Sequence, residues 1–246
     1  MSDFILRPDW PAHARVRAAQ TLRCGGVSRG AFASLNVAAH VGDDPEAVAE
    51  NRARLKRARG LPAEPLWFTQ LHGVDVADAD SEVNRSTTAD AVVVRSAGRV
   101  CVIQTADCLP VLIAHRDGSC VAAAHAGWRG LSAGVLEATV RALGEPADRL
   151  IAWFGPAIGP AAFEVGHEVR AAFLAHDARA AGAFVGNARG RWQADLDLLA
   201  RQRLLAMGLE QIFGGGLCTA ADSTRFFSHR RAAPCGRMAT LIWLDP

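Results

Sequence analysis

The sequence predicts an α+β protein with mixed, largely antiparallel sheets and helices packed on them. Two observations carry that expectation. Apolar runs rich in β-branched residues follow one another across turns too short for a crossover helix, as at 116–119, and strands joined that way run antiparallel. Four helix signals interrupt this series without alternating strictly with it, which excludes a regular βαβ succession.

Taken in chain order, the first helix opens with Pro45 as a first-turn residue behind Asp43 and Asp44 and stops at Gly60. The polar stretch 78–90 (DADSEVNRSTTAD) reads as an exposed connection. Strands follow at Ala91–Val94, Val100–Thr105, 110–114 and 120–124. A second helix, over about 131–143, is apolar on more than one side and so is predicted to be well buried. After a strand at Leu150–Phe154, a third helix follows Gly166, with Val169 and Phe173 on one face. A fourth runs from near Asp195 to Gly208, a glycine suited to a helix C-terminus. A last strand covers 238–243. No repeat, low-complexity tract or linker divides the chain, so a single domain over 1–246 is expected.

Half of the 246 residues are hydrophobic, and 27 basic residues, almost all arginine, balance 25 acidic ones to a net charge of +2. That balance excludes a nucleic-acid or membrane-surface binder, whose basic residues cluster. The first ten residues carry Asp3, Arg7 and Asp9 and do not read as a signal peptide. No run approaches the roughly 18 apolar residues of a membrane span. Cys24, Cys101, Cys108, Cys120, Cys218 and Cys235 read as reduced thiols of a cytoplasmic protein. A monomer with a small-molecule substrate is the separate expectation.

One cysteine has a different setting. The segment VLIAHRDGSCVAAAH reads as a hairpin. A turn centred between Arg116 and Asp117 makes Cys108 and His125 cross-strand partners with Cβ atoms roughly 4.5–5.5 Å apart, a separation two metal ligands can use. A one-residue shift of that turn undoes the pairing. Both residues lie at strand ends beside irregular backbone, where a sheet aims a side chain and a loop leaves room for a ligand. Asp107 and Arg129 bring charge to the same apolar strand end, which implies a polar pocket. His72, in TQLHGVDV, sits at another strand-to-loop change. On spacing alone, an ordinary buried thiol and a strand-end histidine fit better than a metal centre.

Further blocks carry a resemblance. Residues 21–44 (TLRCGGVSRGAFASLNVAAHVGDD), 69–76 (TQLHGVDV), 105–111 (TADCLPV), 125–130 (HAGWRG), 155–166 (GPAIGPAAFEVG), 218–222 (CTAAD) and 226–237 (FFSHRRAAPCGR) resemble the YfiH-like family, long labelled laccase-domain or polyphenol oxidase proteins. The resemblance spans nearly the whole chain. It implies two closely associated α+β subdomains and a zinc site formed by His72, Cys108 and His125. It also implies phosphorolysis of adenosine, inosine, guanosine and methylthioadenosine, with adenosine deamination. His229 and Cys235 depart from the usual pattern, which puts substrate preference in question.

A zinc with three protein ligands keeps one position open, where it acidifies water toward a pKa of about 7. Zinc deaminases pair such a site with a separate carboxylate, and Asp107 is the candidate here, with a role in orienting a ligand histidine as its alternative. Phosphorolysis also needs an anion pocket, for which arginine is suited. Among Arg29, Arg52, Arg129, Arg225, Arg230 and Arg231, the resemblance favours Arg29, with Asn36 beside it in the Gly-rich block, as substrate contacts, and Arg129 is a further candidate anion donor. Three rivals remain. A copper phenol oxidase would draw on more of the eight histidines. A metal-free Cys108–His125 hydrolase, of the kind involved in peptidoglycan editing, would not need His72. A metal-dependent partner-binding protein would not need an open coordination position.

Overall fold

The computed structural model describes residues 4–81 and 87–245, so part of the 78–90 connection lies outside the described residues. In chain order the strands are β1 (Ile5–Leu6), β2 (Val16–Thr21), β3 (Val76–Asp78), β4 (Ala91–Val94), β5 (Val100–Thr105), β6 (Leu109–His115) and β7 (Val121–Ala126). They continue with β8 (Leu150–Phe154), β9 (Glu164–Val165), β10 (Phe184–Gly186), β11 (Trp192–Ala194), β12 (Gln211–Gly214) and β13 (Met238–Leu244). The helices are α1 (Pro45–Arg59), α2 (Trp128–Ala133), α3 (Val135–Leu143), α4 (His167–Leu174) and α5 (Leu196–Ala206).

These elements form four layers. The antiparallel sheet β1-β2-β13-β5 packs one face on α1, where Leu55 and Val37 meet Val100, Val102 and Leu241. Its other face, with Cys101, Ile103, Ile242 and Leu244, covers the sheet β12-β8-β6-β7-β4-β3 through Val92, Val94, Leu112, Val121 and Ala123. The alternate residues of those same strands, Val93, Val111, Ile113, Ala122 and Ala124, point the other way. They bury α3, α4 and α5 through Leu136, Val140, Phe173 and Leu199. Successive strand residues face opposite sides, so a strand covered on both must be apolar throughout. That is why β4, β6, β7 and β8 stand out as unbroken runs. Each fully buried valine or leucine contributes about 1.5–3 kcal/mol. The six-stranded sheet is antiparallel except at its two edges, where β12 runs parallel to β8 and β3 parallel to β4. A small sheet, β10-β11-β9, completes the mixed α+β architecture.

Local chemistry fixes the helices. Asp44 caps α1 by accepting from Glu46 N at 2.9 Å, and Gly60 ends it in the left-handed region at φ 56°. Asp195 caps α5 at Leu198 N. The helix expected over 131–143 is two helices. Gly134 adopts φ 104°, closes α2 onto the Gly130 and Leu131 carbonyls and opens α3 in a new direction, a conformation only glycine takes without strain.

The hairpin also differs from its expected register. Leu109 pairs with Ala126 and Pro110 with His125, so the turn centres on Asp117-Gly118 with Gly118 at φ 74°. Cys108 therefore faces Gly127, two residues beyond His125. Since side-chain direction repeats every second residue, Cys108 keeps the same face as His125 and approaches it diagonally. Residues 106–108 form the short crossing by which the chain leaves β5 in one sheet and enters β6 in the other.

Candidate metal centre

His72, Cys108 and His125 offer one Nε2, Nδ1 or Sγ atom each, all within 4.8 Å of one another, and no other such group of three occurs among the described residues. The His72 and His125 rings meet edge to face at 4.7 Å, and Cys108 Sγ lies 3.7 Å from His72 Nε2. His125 is buried, Cys108 half-buried and His72 exposed, so the trio opens to solvent on one side.

Asp90 builds this arrangement. Its carboxylate, only 2% exposed, lies 2.8 Å from His125 Nδ1 and accepts the backbone N–H groups of Leu71, His72 and Gly73 at 3.1, 2.9 and 2.7 Å. A Nδ1–H given to Asp90 turns His125 Nε2 toward Cys108, the nitrogen that would ligate a metal. The same carboxylate folds the 71–73 turn, in which His72 takes φ 60°. Burial, the largest influence, would raise Asp90, but His125 and the Gly73 and Leu71 amides hold it below the ordinary carboxylate range. Burial would likewise raise Cys108, yet the His125 and His72 rings outweigh it and bring the thiol down to about 6. Burial alone would lower His125; Cys108 and Asp90 carry it up to about 9. The donor set thus favours the thiolate that a metal requires. Gly127 keeps the space clear, since a Cβ there would stand 2.9 Å from Cys108 Sγ and from His72 Cδ2.

The trio forms part of the wall of a cavity of about 390 Å³, shared with His40, Gln70, Gln104, Asp107, Arg129, His229, Arg230 and Arg237. Gln104 Oε1 and Thr105 Oγ1 are buried in this wall without a protein partner. Asp107 reaches the cavity at φ 100°, and its two carboxylate oxygens accept from Thr219 Oγ1 at 2.6 Å and Arg230 N at 2.7 Å. It orients neither histidine; Asp90 has that place.

Of the expected substrate contacts, only Arg129 lines the cavity, its guanidinium stacked on Trp128 at 4.5 Å. Arg29 and Asn36 do not reach it. Arg29 lies on a separate depression with Asp43 and Asp44. Asn36 is fully buried, and its amide is taken up by Ala38, Asp43 and the Arg237 N–H. Of the two departures from the family pattern, His229 lines the cavity and Cys235 is buried beneath it with Phe226 and Phe227. Arg52, Arg225 and Arg231 are occupied elsewhere, with Val37 O, Asp222 and the Thr219, Ala220 and Phe226 carbonyls. Asp90, His40 and Arg237 escaped the sequence reading. The one available signal for Asp90 was a lone acid immediately before an apolar strand.

Fold and site define a class: α+β proteins with an open His₂Cys donor set, able to hold a metal, in the wall of a polar cavity. The chain belongs to the family described as multi-copper polyphenol oxidoreductase laccase, which matches residues 17–245. It is 57% identical over 241 residues to the purine nucleoside phosphorylase PA4543 of Pseudomonas aeruginosa, covering 98% of each chain. It is 52% identical over 244 residues to the purine nucleoside phosphorylase YfiH of Escherichia coli, covering 99% of this chain and 100% of that one. The solved structure of Neisseria meningitidis protein NMB0706 superposes with a TM-score of 0.95 at 46% identity, covering 99% and 100% of the two chains. YlmD from Geobacillus stearothermophilus gives 0.90 at 28% identity, covering 100% and 98%. No helix among the described residues is long and apolar enough to cross a membrane.

Proposed function

We propose that this protein is a cytoplasmic, zinc-dependent purine nucleoside phosphorylase acting on adenosine, inosine, guanosine and methylthioadenosine, with slower adenosine deamination. The observation that carries this reading is the donor trio in the wall of a cation-lined cavity, in a chain similar over nearly its whole length to proteins named purine nucleoside phosphorylases. In phosphorolysis, adenosine and phosphate yield adenine and ribose 1-phosphate. In deamination, adenosine and water yield inosine and ammonia. His72, Cys108 and His125 would hold the metal, which would supply Lewis-acid polarisation of an oxygen in the cavity. A soft thiolate with two imidazoles suits zinc.

Asp90 fixes the tautomer and aim of His125. Asp107 faces the cavity and retains lone pairs beyond those accepting from Thr219 and Arg230, and in deamination it takes a proton from the attacking water and returns it to the leaving ammonia. Arg129 donates to the anion. A multicopper oxidase would need several copper centres, whereas the described residues gather one donor trio.

The test is elemental analysis of protein purified without added metal, followed by product identification from a nucleoside panel with and without phosphate. One zinc per chain and ribose 1-phosphate from adenosine are expected; stoichiometric copper, or neither product at full zinc occupancy, refutes the reading. Arg129→Ala should reduce phosphorolysis about ten- to a hundredfold, and deamination less, because a bidentate charged contact contributes roughly 1.5–3 kcal/mol. Equal losses with zinc intact would assign Arg129 a structural role.

A further inference from the structure

Most arginines with a carboxylate in reach are surface residues: Arg17 pairs with Asp245, Arg54 and Arg57 with Glu50, Arg95 with Asp78 and Arg179 with Asp177. The three arginines of the metal-site cavity differ. Among the described residues no carboxylate lies within ion-pairing distance of Arg129, Arg230 or Arg237. The one acid in the cavity wall, Asp107, is taken up by Thr219 and by the Arg230 backbone. Three guanidinium groups against the single Asp107 carboxylate leave the cavity wall with an excess of positive charge that an entering anion offsets.

Two of these guanidinium groups are also held in place. Arg237 Nη1 donates to the Cys235 and Gly236 carbonyls at 2.8 and 3.2 Å, and its backbone N–H is fixed by the buried Asn36 amide at 2.9 Å. Arg230 Nη1 donates to the Ala162 and Glu164 carbonyls at 3.1 and 3.2 Å. Each anchor engages one nitrogen, so neither fork closes on a protein carboxylate and each keeps further donors for a ligand. His40 stands in the same wall. Burial first, then the charges of Arg237 and Arg52, hold its ring below the ordinary histidine range, so it offers a neutral N–H beside Arg237.

We propose that Arg237, with His40 and Arg230, joins Arg129 to form the phosphate subsite of this cavity, held in geometry by Asn36. The inference rests on the phosphorolytic reading for the anion's identity, and in place of Arg29, which the family resemblance favours and which lies on a separate depression, it sets residues from the far end of the chain beside Arg129. Asn36 is then a positioning residue for the subsite.

The experiment is calorimetric titration of the zinc-loaded protein with inorganic phosphate alone, for wild type, Arg237→Gln, Arg237→Lys and the surface control Arg57→Gln. Wild type and Arg57→Gln should bind phosphate equally. Arg237→Gln should bind at least tenfold more weakly, and Arg237→Lys, which keeps the charge and loses the fork, should fall between them. Zinc content and unfolding temperature identify any variant that has not folded, and the lysine variant then carries the comparison. In turnover, the KM for phosphate should rise while the KM for nucleoside at saturating phosphate stays constant. Phosphate binding at Arg237 without ribose 1-phosphate formation would sink the phosphorolytic reading and leave the subsite standing. Unchanged phosphate affinity in both Arg237 variants, or no phosphate binding by wild type at millimolar concentration, overturns the proposal.

Discussion

Replacing Asp90 by Asn removes one charge and almost no volume, yet it should disable the metal centre. The carboxylate serves four groups: the Leu71, His72 and Gly73 amides and His125 Nδ1. An asparagine has a single acceptor oxygen with two lone pairs, so two of the four must go unserved. If its NH₂ turns to His125, it stabilises the tautomer with the proton on Nε2, the nitrogen needed for the metal. If it turns to the 71–73 turn, backbone donors are orphaned where His72 is held at φ 60°. Hydrogen bonds to a charged group contribute roughly 1.5–3 kcal/mol each, so two lost bonds bound the stability cost at about 3–6 kcal/mol. Loss of such a supporting partner weakens metal affinity about 10–100-fold. Zinc titration against a competing chelator measures the affinity, and denaturant unfolding of the metal-free protein measures the stability. The Asp90 carboxyl is held below its unfolded value of about 3.9, so its contribution is complete above that value and is lost as pH falls through the lower folded one. Asp90→Asn should flatten that part of the acid limb. Wild-type zinc affinity in Asp90→Asn would refute the reasoning.

Gly127→Ala should cost the centre its metal while leaving the fold nearly intact. Gly127 has φ −66°, which any L-residue adopts, so the whole effect comes from the new Cβ against Cys108 Sγ and His72 Cδ2. A tenfold or greater loss of zinc affinity with under about 2 kcal/mol of destabilisation is expected; unaltered zinc binding would show the ligands able to move aside. Chelation of the wild-type protein should abolish turnover and leave a single cooperative unfolding transition, because the sheets bury a core independent of the metal. Outright unfolding on chelation would assign the site a structural role.

What could be read from the sequence followed from how completely each element is buried. Strands β4, β5, β6, β7, β8 and β13 are apolar on both faces and appear as runs. The ends of α1 and α5 carry Asp caps and closing glycines. The short strands β3, β9, β10, β11 and β12 are two to four residues long and patterned by tertiary contact, so they left no periodicity to find. Gly134 was invisible as a break because α2 and α3 bury apolar residues on the same core. For the site, the hairpin brought Cys108 near His125 even though its centre was misplaced by one residue, since the error preserved the face. In the sequence Asp90 reads as the end of a polar loop. Its burial is made by the 71–73 turn folding over it, a contact across the sheet edge that no local pattern encodes.

Cys108 occupies the short passage where the chain steps from one sheet to the other, while His125 belongs to the six-stranded sheet and His72 is tied to that sheet's β4 end through Asp90. The sulfur therefore reports on a joint. Its distance from the two rings depends on how the facing surfaces seat, through Ile103 and Ile242 on one side and Leu112 and Ala123 on the other. A methyl group added or removed deep in that seam works like a shim under one jaw of a vice. The grip on the ion can be tuned there by changes that touch neither ligand, cavity nor solvent.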